Sequence, residues 1–171
     1  QHADVHLFWG DTYERIGENI QAIRALAERH QRRTPIRFGM RLQIVCRETE
    51  QEAWTAANEL MRGVTARHTE KLRAHVSQSE ANRRVQELAA THGDLIEPNL
   101  WTGITKIRPG AGIAIVGDPD QCAGVLQRYI DLGCDSFCLS GYLHDEEATR
   151  FARFVRPILE RNNPGRLAPL A

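Results

Sequence analysis

Arg41 is the residue whose setting in this chain most demands a chemical explanation. Residues 36–46 alternate, with Ile36, Phe38, Met40, Leu42 and Ile44 on one face of an extended segment. Arg37, Gly39, Arg41, Gln43 and Val45 fall on the other face. An arginine on the inward face of a strand needs an anionic partner, because an unpaired buried charge is costly. A carboxylate of the protein and an anionic ligand satisfy that need equally, and the alternation does not choose between them. Tyr142 poses a similar choice at the end of the apolar run 135–140. It is either a packed ring with its hydroxyl in water or a proton donor above a pocket. Gly110-Ala-Gly112 resembles a dinucleotide fingerprint only superficially. The third glycine is replaced by Ile115, and the glycines precede the short apolar segment 113–116 instead of following it. They suit a hinge or an anion-accepting loop. His68 and His75 share a helical face but lack a third ligand at metal spacing, so they read as surface histidines and no metal is expected. Cys46, Cys122, Cys134 and Cys138 have neither CxxC nor zinc-finger spacing and read as buried, reduced thiols.

The elements that must position these residues are legible from caps and periods. Residues 5–9 read as a first strand ending at Gly10, and Asp11-Thr-Tyr-Glu14 reads as a capping box. The helix behind it carries Ile16, Ile20, Ile23 and Ala27 on one stripe. Thr49-Glu-Gln-Glu52 opens a second helix with Ala53, Trp54, Ala57, Leu60 and Met61. Asp118-Pro-Asp-Gln121 opens a third, with proline where its missing amide costs least, and Gly133 supplies the left-handed stop. Residues 135–140 then read as a strand covered on both faces. A last helix begins near Asp145, and Pro157 must kink or restart it. Helix, buried strand, polar lip and another helix is the grammar of an α/β barrel, whose strands carry chemistry at their C-terminal ends. Such a barrel typically needs about 250 residues, so 171 residues suggest part of one. The expected organisation is a C-terminal barrel portion over 1–161, a charged helix-and-loop insertion at about 65–97, and a frayed tail at 162–171.

Composition narrows the classes of function. The 22 basic and 22 acidic residues cancel, which leaves no electrostatic footprint for nucleic acid or a membrane surface. No apolar run reaches the roughly 20 residues that span a bilayer. The absence of a signal-peptide pattern suggests a cytoplasmic protein.

Several ordered blocks carry a resemblance. Arg37-Phe-Gly-Met-Arg-Leu-Gln-Ile-Val45, Arg47-Glu-Thr-Glu-Gln-Glu-Ala-Trp54, Asn99-Leu-Trp-Thr-Gly103, Ile113-Ala-Ile-Val-Gly-Asp-Pro119 and Leu139-Ser-Gly-Tyr-Leu-His-Asp-Glu-Glu147 closely resemble alkanesulfonate monooxygenases. These belong to the bacterial luciferase-like flavin-dependent monooxygenases. The resemblance implies a (β/α)8 TIM barrel of which this chain holds the last three strands, near Val5, Phe38 and Phe137, with 113–116 a short extended lead into a helix, although by pattern alone 113–116 reads equally as a fourth strand. It implies a two-component system with reduced FMN from a separate NAD(P)H-dependent FMN reductase, molecular oxygen, an alkanesulfonate cleaved to sulfite and an aldehyde, and a homo-oligomer. Arg41 matches the family's inward active-site arginine, and Arg108 matches the arginine of a mobile closing loop. Tyr142 matches the tyrosine after the last strand, and Trp9 a pocket-lining tryptophan. Gln43 stands where the family has histidine, and glutamine hydrogen-bonds without titrating near neutral pH. The family's cysteine and most of its flavin-phosphate site belong to the front of the barrel, so this fragment is expected to be inactive alone. Two alternatives stay open. One is a luciferase-like oxidoreductase using another organosulfur substrate or deazaflavin. The other is a non-catalytic luciferase-like partner.

Overall fold

The computed structural model describes residues 3–65, 70, 80–107 and 112–166. Its organising element is β2 (Arg37–Cys46), long enough to seat two strands in succession along one edge. Strand β1 (Val5–Trp9) runs parallel to the first half of β2, from Val5 opposite Arg37 to Trp9 opposite Arg41. Beyond Trp9 the edge of β2 would present unpaired amides and carbonyls, and a buried backbone must satisfy them. The segment Ala114–Gly117 does so as a parallel strand opposite Gln43–Cys46. Gln43 N donates to Ile113 O at 2.9 Å, and Arg47 N donates to Gly117 O at 3.3 Å. This corrects the extended lead that the resemblance implied at 113–116 and agrees with the strand that the pattern alone allowed. The segment is a fully buried strand, β5, backed by the antiparallel pieces β3 (Leu95–Glu97) and β4 (Leu100–Trp101). On the other edge of β2 lies β6 (Ser136–Ser140), parallel, with Gly39 opposite Ser136 and Gln43 opposite Ser140. Parallel strands β1, β2 and β6 thus form three neighbouring staves of a curled α/β wall.

The wall is open on both sides among the described residues. Val5 and Leu7 on β1 are 44% and 46% exposed. Strand β6 is half-exposed along its length, and Cys138 at its centre is exposed. That overturns two expectations, a strand covered on both faces and four buried thiols. The reason is shared: no described strand pairs with the far edge of β6, so its side chains are covered from one side only.

Helices cover the apolar face of β2. Helix α1 (Tyr13–Arg29) is capped by Thr12, whose hydroxyl accepts from Arg15 N. The expected box at Asp11 is therefore displaced by one residue. Asp11 is drawn away by Arg84 of α3 (Glu80–His92), whose Nε and Nη2 donate to the Asp11 carboxylate at 2.8 and 2.9 Å. Two parallel charge-assisted bonds outweigh one cap. Residues 80–97 of the expected insertion are thus α3 and β3, with Leu88 buried against the main core. His68 and His75 lie outside the described residues. Helix α2 (Glu50–Leu60) and helix α4 (Pro119–Leu132) both show the expected capping boxes, at Thr49 and Asp118. Ile16, Ile20, Phe38, Met40, Leu42, Ile44, Ile115 and Leu126 form the main core between this helical layer and the sheet. After β6 come α5 (His144–Arg150), one widened π turn (Phe151–Val155) and α6 (Arg156–Asn162). Pro157 has no amide to donate into the preceding turn, which accounts for the restart.

Two stability tests arise here. Gly133 ends α4 at φ +111°, a conformation costly for any residue with a Cβ. Gly133→Ala is expected to cost about 1–2 kcal/mol in urea unfolding. Tyr13 and Tyr129 pack with ring centroids 5.0 Å apart, and Tyr129 Oη donates to Asp11 O at 2.8 Å. Burial pushes the Tyr13 phenol up to about 12 and holds Tyr129 well above its ordinary value. Both shifts favour the neutral form, so their stabilisation is complete below about pH 10 and is lost as pH rises toward about 12. Stability should fall on that alkaline limb, and Tyr13→Phe should flatten it by about 1 kcal/mol up to about pH 11. Urea titrations from about pH 8 to about pH 11 check this, and an unchanged slope would contradict it.

Candidate functional site

The second face of β2 carries the site. Arg41 and Trp9 are register partners on adjacent parallel strands, so their side chains stand side by side. The Arg41 guanidinium lies 5.9 Å from the centroid of the Trp9 ring. Among the described residues no carboxylate forms an ion pair with Arg41, so the intramolecular salt bridge admitted by the sequence is not made. Gln43 is the next residue on this face, about 7 Å along the strand. It is 1% exposed, and among the described residues neither Nε2 nor Oε1 has a hydrogen-bond partner. A buried amide left unpaired costs about 1–3 kcal/mol, which marks this position for an external partner.

One step further, Val45 enters a second apolar cluster with Ala53 and Ala57 of α2, Trp101, Ile104, Ala114 and Val116. The face therefore changes character along β2, from polar at Arg41 and Gln43 to sealed at Val45. Tyr142 is half-buried and packs against the edge of that cluster, its ring 6.2 Å from His144. Gln43 pairs with Ser140, two residues ahead of Tyr142. Trp9 and Tyr142 thus lie at the C-terminal ends of β1 and β6, and Arg41 and Gln43 lie along β2 level with those ends. Arg108 lies outside the described residues. The chain re-enters them at Gly112, where a Cβ would come 3.8 Å from the Arg41 carbonyl oxygen. Among the described residues no three His, Cys, Asp or Glu side chains group to hold a metal, and no helix is long and apolar enough to cross a membrane.

Two ionic clamps at the same strand ends escaped the sequence reading. One is Asp11–Arg84, which fastens α3 beside the end of β1. The other centres on Glu147, 2% exposed, whose Oε1 accepts from Arg47 Nη1 at 2.6 Å and Arg150 Nη1 at 3.0 Å. Its Oε2 accepts from Cys46 N at 3.4 Å, tying α5 to the end of β2. Arg150 sits three residues from Glu147 and is a local signal. Arg47 and Arg84 have no local signal at all, because their partners are distant in the sequence.

Comparison with known proteins agrees with this geometry. Riboflavin lyase (RcaE), solved with modified FMN and its substrate riboflavin, matches at a TM-score of 0.68 and 20% identity, over 99% of this chain and 42% of that one. DmoA from Hyphomicrobium sulfonivorans matches at 0.69 and 22% identity, over 94% and 38%. EDTA monooxygenase (EmoA) from Chelativorans sp. BNC1 matches at 0.66 and 16% identity, over 96% and 43%. The chain thus spans about two fifths of the length of these solved proteins, and at such identities the likeness speaks for the fold. The model of the luciferase-like monooxygenase family matches residues 1–136. A match over most of the chain, joined to a parallel wall of the same fold, places this protein in the luciferase-like monooxygenase family.

Proposed function

We propose that this chain is the C-terminal part of a reduced-FMN-dependent monooxygenase that cleaves the C–S bond of alkanesulfonates to sulfite and an aldehyde. The observation that carries the reading is Arg41, a cation set against Trp9 with no carboxylate partner among the described residues. A sulfonate offers the fixed negative charge and the several acceptor oxygens that a guanidinium fork binds best. The residues present also fit a flavin, since the unpaired amide of Gln43 matches the donors and acceptors along a flavin's polar edge. RcaE, which shares the fold, holds a modified FMN. Reduced FMN, delivered by a separate NAD(P)H-dependent reductase, would supply the electrons that activate molecular oxygen. In this reading Arg41 binds the sulfonate, and Trp9 forms a wall that orients the guanidinium. Gln43 hydrogen-bonds ligand without moving a proton. Tyr142 positions the ligand at the mouth, and the family resemblance assigns Arg108 a second, closing cation. Additional strands beside β1 and β6 would complete the barrel and exclude water.

The test is sulfite release by the complete protein with FMN, an FMN reductase, oxygen and octanesulfonate. Sulfite with matching aldehyde is the expected result. A protein that binds flavin and releases no sulfite from any sulfonate would sink the proposal. Gln43, neutral where a histidine would titrate, favours one second reading, in which the substrate is an uncharged organosulfur compound. Turnover of a sulfone without turnover of sulfonates would select it.

A further inference from the structure

The face of β2 that carries Arg41 continues onto β6, and there it presents a thiol. Register partners on neighbouring parallel strands stand side by side on one face, about 4.8 Å apart. Arg41 has Trp9 as its partner on β1 and Cys138 as its partner on β6. The row before it fixes the alignment. A Cβ built on Gly39 would come 2.9 Å from Leu7 Cδ1 on one side and 3.1 Å from Ser136 Cβ on the other. Leu7 and Ser136 are the register partners of Gly39. Phe137 and Leu139 pack against the main core on the opposite face of β6. Trp9, Arg41 and Cys138 therefore form one row across three strands.

Charge and polarity along this face point to a ligand at that row. Nearer the start of β2, Arg37 is satisfied within the protein, donating to the Asp135 carboxylate at 3.0 Å and to Ser136 Oγ at 3.1 Å. Arg41 makes no such pair among the described residues. Two residues further on, Gln43 is 1% exposed, has no hydrogen-bond partner for its amide among the described residues, and has Ser140 as its register partner. An unpaired cation, an unpaired amide and a thiol thus share one face. Cys46, Cys122 and Cys134 are buried, whereas Cys138 is exposed. We propose that Cys138 is the third wall of the Arg41 site and an anion-selective modification site, where small anionic thiosulfonates are held by Arg41 and captured by the thiol. The cation concentrates the anionic reagent beside the nucleophile. The Cys138 thiolate attacks the divalent sulfur of the thiosulfonate, the bond from that sulfur to the sulfonyl group breaks, and a sulfinate leaves with the electron pair. The thiol proton passes to solvent. Cys138 is oxidised to a mixed disulfide and the thiosulfonate is reduced to the sulfinate. A strand added beside β6 would flank Cys138 without changing the face on which it stands. Competition between the captured group and a sulfonate substrate rests on the function proposed above, and the capture itself does not.

The experiment labels the complete protein with 2-sulfonatoethyl methanethiosulfonate and, separately, with its trimethylammonium counterpart, which has the same reactive group and the opposite charge. Peptide mapping follows the rate at Cys138, and each rate is divided by that of the same reagent on the urea-unfolded protein. The expected anion-to-cation ratio is about 10 at low ionic strength, falling toward about 1 in 1 M salt. It should also fall toward about 1 in Arg41→Gln and persist in Arg41→Lys, so the loss reads the cation and not a damaged fold. A ratio near 1 in the unmodified protein at low salt would overturn the proposal. So would a ratio near 10 that survives both 1 M salt and Arg41→Gln. Octanesulfonate is expected to slow labelling of Cys138. A salt-sensitive preference without that protection would uphold the site and count against the monooxygenase reading alone.

Discussion

Arg41→Ala in the complete protein is expected to lower kcat/KM for octanesulfonate about 100-fold while leaving the fold nearly untouched. The two effects come from different interactions. In the fold, Arg41 contributes a contact with the Trp9 ring at 5.9 Å, worth about 0.5–1 kcal/mol at a partly exposed position. For a bound sulfonate it would contribute charge-assisted hydrogen bonds of about 1.5–3 kcal/mol each. Losing them in the transition state accounts for about 2.7 kcal/mol, the equivalent of 100-fold. Arg41→Lys keeps the charge and loses the planar fork, so it should recover about tenfold of the loss. Steady-state kinetics beside thermal melts make the comparison. A melting temperature that drops by more than about 5 °C with unchanged kcat/KM would reassign Arg41 to a purely structural role.

The largest stability effect is expected at Glu147. Its carboxylate is 2% exposed and serves Arg47, Arg150 and the Cys46 amide together. Glu147→Ala would leave Arg47, with only 21% of its side chain exposed, without its carboxylate partner, and would leave Arg150, 29% exposed, with Glu146 alone. Breaking a buried pair from one side costs about 3–5 kcal/mol. Partial exposure of both arginines points to the lower end, about 3 kcal/mol, or roughly 6–12 °C in melting temperature for a domain of this size. Glu147→Gln retains one acceptor and should lose less. Gly141 belongs to the same arrangement, since a Cβ there would overlap the Glu147 side chain. A loss below about 1 kcal/mol in Glu147→Ala would show that water replaces the clamp freely.

Local features of the chain were legible because their causes are local. The boxes at Thr49 and Asp118, the left-handed stop at Gly133 and the alternation through β2 each depend on residues within a few positions. Misreadings fell where a distant partner decided the outcome. Asp11 looked like a cap until Arg84 claimed its carboxylate. Residues 113–116 became a strand because the upper edge of β2 extends past β1 and needed pairing. The apolar run at β6 suggested full burial, yet hydrophobicity records what a strand can bury and not which neighbours are there to cover it.

The sequence by itself determined the capped helices, the two faces of β2 and the family resemblance, and so placed Trp9, Arg41, Gln43 and Tyr142 among the candidates. Tertiary structure decided what those residues meet. Among the described residues it set Arg41 against Trp9 without a carboxylate partner, buried the Gln43 amide without a hydrogen-bond partner and centred two arginines on Glu147. The division follows from range: caps and periods are written in neighbouring residues, whereas charge pairing and orphaned polar groups depend on which distant segments share a neighbourhood once the chain has closed on itself.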